Sequence, residues 1–162
     1  MAKATKRSRA EADVITFSSE DGLGAHTWPV AATVYMKPKS FLRLTPAIES
    51  DDDGYDRVDS IRAALADGAY IAPPYLKLLR SSNPGAVRAV DTQEGRHRMT
   101  AILQVYGNIE VPVELVYEGE CKSKTLLSKR DGKAVANAVR RPEPPLKRYP
   151  LIRVAAVRKE QY

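Results

Sequence analysis

The chain has 162 residues, of which 43% are hydrophobic, and this suits one domain with a single core. Its only cysteine, Cys121, excludes an internal disulfide framework and a cysteine-rich zinc site. Residues 1–10 lead into no apolar stretch of signal length, and no run approaches the ~20 apolar residues of a membrane span. We therefore expect a cytoplasmic protein without a membrane partner.

The formal net charge of +6 is unevenly distributed along the chain. Residues 14–121 carry 10 basic and 15 acidic side chains, whereas residues 122–162 carry 12 basic and 3 acidic ones. A mildly acidic globule with a cationic extension is typical of chains that bind nucleic acid or another polyanion. The alternative is a tail that solubilises the chain or docks on the acidic body of its own or a neighbouring subunit. The candidate nucleic-acid-binding residues are Lys122, Lys124, Lys129, Arg130, Lys133, Arg140, Arg141, Lys147 and Arg148.

Three regions follow from the patterns along the chain. Residues 1–27 form a basic N-terminal arm and lead-in, and residues 28–120 form the folded domain. Residues 121–162 form a basic, proline-containing C-terminal extension. No internal repeat is apparent.

The first half of the domain predicts a strand and two helices. Val30–Met36 is a β-branched run typical of a strand, and residues 38–44 predict a short helix opened by proline. Residues 49–56 form an acidic loop that lacks the alternating ligand spacing of a calcium loop, so we predict no dedicated metal site there. Residues 58–68 have one apolar face at helical spacing.

The second half of the chain alternates strands and helices. The pattern predicts strands at residues 75–79, 86–90 and 109–117, an amphipathic helix at 126–139, an extended proline-rich connector at 141–150 and a last strand at 151–157. Pro112 favours an edge position or a bulge for its strand. The alternation predicts a small α/β or α+β domain, a mixed sheet with flanking helices.

Residues 93–98, Gln-Glu-Gly-Arg-His-Arg, are the most informative stretch. They stand between a predicted strand and an apolar repeat of helical spacing that ends at Gly107. Asp91 with Glu94 matches a capping box, and Thr92 is an adjacent alternative N-cap. The three basic side chains that follow then lie in or near the first turn of the helix.

Cations are electrostatically misplaced there, because the helix dipole favours anions and each cation forgoes roughly 0.3–1 kcal/mol. A bound anion would reverse that sign, since free N–H groups and guanidinium groups could converge on one phosphate or carboxylate. The predicted phosphate-binding residues are Gly95, Arg96, His97 and Arg98. The alternative is that Glu94 and the solvent neutralise the cluster.

Four pieces of the chain occur in a characteristic order. They are Met36-Lys37-Pro38-Lys39-Ser40-Phe41-Leu42-Arg43-Leu44, the helix over 61–68 with Pro73-Pro74-Tyr75-Leu76, residues 90–101, and Val111-Pro112-Val113. In this order, residues 30–116 resemble the ParB/sulfiredoxin superfamily, in its ParB-like nuclease-domain branch as carried by phages and mobile elements. The resemblance implies that superfamily's fold and a phosphate-binding helix N-terminus.

Departures from the family pattern reduce the number of reactions that the resemblance implies. Arg96 stands where sulfiredoxins have their catalytic cysteine, so the resemblance does not imply sulfiredoxin chemistry. Chromosome-partitioning relatives, which hold a nucleoside triphosphate with this loop, match at Gly95 and Arg98, and free-serine kinases match at His97 and Arg98. No helix-turn-helix pair of convincing spacing follows the domain, which disfavours specific centromere binding.

These observations leave three functions open. The first is an enzyme with NTP-dependent or nuclease-like chemistry, which could be an NTPase, a nuclease or a phosphotransferase. Its catalytic base would be Glu94 or His97. Mg²⁺ with ATP or CTP would be its cofactor, with Glu94, Asp91 or Asp59 as conceivable ligands. The second is a non-catalytic module that binds nucleic acid or a polymerase. The third is a structural component of a homo-oligomer or a larger assembly, such as a phage virion.

Overall fold

The computed structural model describes residues 14–44, 54–78, 89–117, 125–141 and 152–156. These ranges contain seven strands and four helices. In chain order they are β1 Ile15–Ser18, β2 Val30–Met36, α1 Pro38–Leu42, α2 Gly54–Ala66, β3 Tyr75–Leu78, β4 Ala89–Glu94, α3 Arg96–Tyr106, β5 Val111–Val116, β6 Thr125–Leu126, α4 Lys129–Arg140 and β7 Ile152–Ala156. The protein is therefore a small mixed α+β fold, as the alternation of patterns predicts.

The main sheet has five strands in the order β2-β5-β3-β4-β6. The central pair, β3 and β5, is parallel, and each of the other neighbouring pairs is antiparallel. Every residue of β5 is buried, which fits an interior strand covered on both faces. α1 and α2 pack against α3, and α4 packs against β2.

A second sheet of two parallel strands joins β1 to β7. Ile15 and Phe17 of β1 belong to the main hydrophobic core, together with Leu127 and with Val135 of α4. The folded core therefore includes residues on both sides of the expected domain limits at 28 and 120. The predictions for the basic arm over residues 1–11 and the connector over 142–150 lie outside the described residues.

The predicted N-cap of the motif helix was wrong. The strand before it continues to Glu94, because the backbone at residues 92–94 pairs with β3 in the sheet. Gly95 is the N-cap, and α3 begins at Arg96, so the three basic side chains do occupy its first turn. The strand limits also shift from 86–90 to Ala89–Glu94, with residues 86–88 outside the described part.

Pro112 lies in an interior strand, so the expected edge position was wrong. On one side it is opposite Tyr35 of β2, and on the other side β3 begins to pair with β5 only at Glu114. The N–H of Glu114 donates to the carbonyl of Pro74 at 2.9 Å, and Pro112, two residues earlier, faces the same side. Pro112 therefore lies just beyond the end of β3. Its lack of an N–H removes no hydrogen bond between the two strands.

Among the described residues, no helix is both long and apolar enough to cross a bilayer.

Candidate functional site

The turn from β4 into α3 depends on Gly95. Its φ of 109° lies in the left-handed region, and a Cβ there would come within 2.7 Å of the Cβ of Pro74. A glycine is therefore required both for the conformation and for the close approach. No side chain caps the helix, and its first intrahelical bond runs from the N–H of Met99 to the Gly95 carbonyl at 2.9 Å. The N–H groups of residues 96–98 consequently have no intrahelical acceptor.

Arg98 is the buried cation of the motif, with only 6% of its surface exposed. Its Nη1 donates to the carbonyls of Ala72 at 2.8 Å and Pro73 at 3.1 Å. Burial lowers the pKa of Arg98, whereas the negative charge of Glu94, and secondarily Tyr75 and Glu114, raises it. Arginine keeps its proton in proteins, so a positive charge lies beneath the helix N-terminus.

Gly24 covers this guanidinium. A Cβ on Gly24 would lie 2.8 Å from Cζ of Arg98 and 2.9 Å from Nε and Nη1, and its φ of 90° is also left-handed. The backbone at Gly24 therefore packs directly against the guanidinium group. Arg98 is thus held between two chain segments, one around residue 24 and one around residues 72–74.

The side chain of Arg96 contacts a different part of the fold from that of Arg98. Its Nη1 donates to the carbonyl of Leu42, the last residue of α1, at 2.9 Å. The side chain therefore joins two helices, and it is not among the groups that line the neighbouring pocket. The structure brings together Glu94, Gly95, His97 and Arg98 but directs Arg96 elsewhere.

These four residues line one side of a pocket of about 720 Å³, a volume within the usual range for small-molecule sites. Glu94 is exposed and His97 is half-buried. Most of the other lining residues come from α2 and from the loop after β1. The remaining lining residues are Leu23, Gly24, Ala25, His26, Arg57, Ser60, Ile61 and Tyr75.

Sequence reasoning missed Arg57 and Ser60. Both are exposed side chains of α2 that face the pocket beside the buried Ile61. Positions 57, 60 and 61 share one helix face, so Arg57 could have been placed one turn from a core residue. Nothing in the sequence connects α2 to the motif across the intervening β3 and β4. The second arginine of the pocket therefore emerges only from the packing of α2 against α3.

His26 and Glu114 form a buried pair at the pocket wall. The main-chain N–H of Trp28 donates to Nδ1 of His26 at 3.0 Å, so Nε2 carries the proton and donates to Glu114 Oε1 at 2.7 Å. The exposed fractions of the two side chains are 8% and 3%. The sequence did contain a signal for this pair: Glu114 is a carboxylate inside the apolar run of β5. Because buried charges are usually paired, Glu114 predicted a polar partner from another element.

Of the conceivable magnesium ligands, Glu94 lines the pocket. Asp59 is exposed and lies 4.0 Å from Arg62 of the same helix, and the side chain of Asp91 is outside the described part. Where the structure describes side chains, no group of three His, Cys, Asp or Glu residues could hold a metal ion. Mg²⁺ usually needs only one or two protein carboxylates when substrate phosphates supply the rest. Glu94 is the pocket carboxylate that fits that role.

The candidate nucleic-acid-binding cations fall into two groups. Lys122, Lys124, Lys147 and Arg148 lie outside the described residues. The other five, Lys129, Arg130, Lys133, Arg140 and Arg141, are exposed on or directly after α4. At 100° per residue they fall within one third of the helix circumference, about 120°. We call this surface the α4 basic face; Val135, on the opposite face, is buried in the core.

Comparison of the chain with protein-family models, with curated proteins and with solved structures finds no match.

The pocket combines complementary chemistry. Its lining includes a helix N-terminus without a side-chain cap, the buried charge of Arg98, the exposed charge of Arg57 and the imidazole of His97. It also includes the apolar or aromatic side chains of Leu23, Ala25, Ile61 and Tyr75. Such a pocket suits a ligand with an anionic end and an apolar or aromatic body.

Proposed function

We propose that the chain is a ParB-like protein that binds a phosphate-bearing ligand, a nucleotide by its size, in the pocket at the start of α3. The observation that carries the proposal is the convergence of Arg98, Arg57 and the bare N-terminus of α3 on one pocket. Backbone N–H groups and guanidinium groups are the usual donors for phosphate oxygens. The glycine turn between strand and helix, and the ordered family-like pieces around it, support the same proposal.

Glu94 and His97 are the groups that could perform chemistry on such a ligand. In phosphoryl transfer, a hydroxyl or water oxygen bonds to phosphorus while the bond to the leaving oxygen breaks and its electron pair stays with that oxygen. The nucleophile's proton would pass to Glu94 or His97, which line the pocket beside Gly95. Mg²⁺ held by Glu94 and the ligand would neutralise phosphate charge. A chain without this step would be a non-catalytic binding module.

A thermal-shift series with ATP, CTP and inorganic phosphate, each with and without Mg²⁺, tests the binding. A ligand at one hundred times its Kd stabilises the native state by about 2.7 kcal/mol, so the melting temperature should rise. Arg57→Ala should weaken that response, because it removes a pocket charge from an exposed position. Arg62→Ala is the matched control, since Arg62 is exposed on the same helix but does not line the pocket.

The proposal fails if no ligand raises the melting temperature, or if the two arginine variants respond alike. Phosphate release from ATP or CTP decides between enzyme and binding module. An enzyme should lose turnover in Glu94→Gln or His97→Ala. Binding without turnover in the wild-type chain would favour the module.

A second candidate function, nucleic-acid binding, is favoured by the α4 basic face. Five exposed cations share this surface, and Asp131 is the only acidic residue of the helix. These cations would contact backbone phosphates, and such contacts do not depend on the base sequence. The log of affinity for duplex DNA should fall linearly with log salt, and Lys133→Ala with Arg140→Ala should reduce the slope by about 0.9 per lost contact. An unchanged slope would assign the basic face to solubility.

A further inference from the structure

The pocket loop, residues 23–26, is anchored firmly at its beginning. The N–H of Leu23 donates to the carbonyl of Tyr70 at 2.9 Å, and the N–H of Ala72 donates to the carbonyl of Leu23 at 3.0 Å. The segment before β3 thus fixes the first residue of the loop. Leu23, Gly24, Ala25 and His26 all line the pocket, so the position of this loop defines one wall.

The other end of the loop is anchored by a side chain. His26 donates from Nε2 to Glu114 in β5, and its ring lies 4.6 Å from the ring of Tyr75 at 60°. β5 is an interior strand with every residue buried, so Glu114 is a rigid acceptor. The imidazole is therefore the link between the end of the loop and the centre of the sheet.

Between these two anchors the loop covers Arg98. Gly24 packs on the guanidinium so closely that even a Cβ would overlap it. A displacement of the loop would therefore remove one wall of the pocket and let water reach the guanidinium of Arg98. The position of His26 therefore affects how closely the loop encloses the guanidinium charge of Arg98, which a bound ligand would contact.

We propose that His26 is a positioning residue: its hydrogen bond to Glu114 holds the pocket loop against Arg98 and thereby sets the affinity for a phosphate-bearing ligand. The proposal rests on the proposed function of the pocket. It assigns His26 no contact with the reacting atoms. Pre-organisation of this kind strengthens binding because the ligand does not have to order the loop itself.

Trp28 provides a direct readout of the loop. It is the only tryptophan of the chain, its N–H donates to Nδ1 of His26, and its side chain is 39% exposed. Loss of the imidazole should alter both the emission of Trp28 and its quenching by acrylamide. This fluorescence signal reports on the loop even when no ligand is present.

Three variants of the full chain separate positioning from general destabilisation. Glu114→Gln retains an acceptor for Nε2 without the carboxylate charge. The double variant His26→Ala with Glu114→Gln removes the link without leaving a buried unpaired carboxylate, so it should remain folded. Val135→Ala truncates a core residue of α4, which packs on β2 away from the pocket, and serves as the destabilised control.

Binding of ATP, CTP and inorganic phosphate is measured by calorimetry alongside Trp28 fluorescence. The double variant should bind about tenfold more weakly than Glu114→Gln, a factor that corresponds to roughly 1.4 kcal/mol. Its Trp28 signal should change, whereas Glu114→Gln and Val135→Ala should keep the wild-type signal and bind within about twofold of wild type.

Equal affinities of the double variant and Glu114→Gln would overturn the proposal, as would equal loss of binding in Val135→Ala. If the wild-type chain binds none of the three probes, the proposed function fails and the role in affinity fails with it. The contrast in Trp28 fluorescence then still shows whether His26 holds the loop. An unchanged Trp28 signal in the double variant contradicts the positioning role by itself.

Discussion

Helices α3 and α4 begin in opposite ways. α4 starts at Ser128, whose Oγ accepts from the N–H of Asp131 at 3.1 Å, and Asp131 adds a negative charge in the first turn. α3 starts at Gly95 with no side-chain cap and no acidic residue in its first turn, where Arg96, His97 and Arg98 stand instead. Both first turns contain basic side chains, since Lys129 and Arg130 follow Ser128, but α4 has a side-chain cap and an acidic residue there and α3 has neither.

The main difference between the two starts is the side-chain cap, which the start of α3 lacks. The same chain builds a well-capped helix elsewhere, so a cap was available to it. At α3 the two arginines donate to main-chain carbonyls of other segments, and no side chain caps the N–H groups of the first turn. An external anion would complete this start in the way that Ser128 and Asp131 complete the other.

The largest effect should come from Arg98→Ala. The substitution leaves the carbonyls of Ala72 and Pro73 without their buried donor, and we expect a loss of about 3 kcal/mol in the free energy of unfolding. Arg96→Ala removes the hydrogen bond to the Leu42 carbonyl from a half-buried side chain and should cost about 1 kcal/mol. Urea denaturation of both variants measures the difference. Equal losses would show that Arg98 has no special structural role.

A smaller effect should come from Gly95→Ala, for which Gly107→Ala is the matched control. Both glycines have positive φ, but a Cβ at Gly95 would meet Pro74, whereas a Cβ at Gly107 would meet no atom within 4 Å. We expect roughly 1 kcal/mol of backbone strain at Gly107 and about 1–2 kcal/mol more at Gly95. Equal destabilisation would mean that the close approach to Pro74 contributes nothing.

The smallest of the three effects should come from Ser128→Ala, which removes the cap of α4. The expected loss is about 1 kcal/mol in the free energy of unfolding. Stabilisation by phosphate or nucleotide should be unchanged, because Ser128 does not line the pocket. A reduced phosphate response in this variant would contradict the contrast between the two helices.

Most of the fold could be predicted from the sequence, because its signals are local. The β-branched run of β2, the apolar face of α2 and the amphipathic pattern of α4 all fall in the predicted elements. The cap of α3 could not be predicted in this way. A capping box at Asp91 competes with strand pairing to β3, and the pairing prevails because it satisfies more of the backbone.

The candidate site was predicted only in part for a related reason. The motif around Gly95 is contiguous, so its place at a helix start could be read from the chain. The direction of each side chain could not, since Arg96 and Arg98 donate to carbonyls that are distant in sequence. Arg57 and His26 come from other elements and enter the pocket only through tertiary packing.

The pairing of β1 with β7 has a consequence for how the chain folds during synthesis. β1 leaves the ribosome early, yet its parallel partner is made only when residues 152–156 appear. Until then Ile15 and Phe17 lack part of their final surroundings, and contacts of such long sequence separation form slowly. The two-stranded sheet therefore cannot be completed until residues 152–156 have been synthesised, after every strand of the five-stranded sheet.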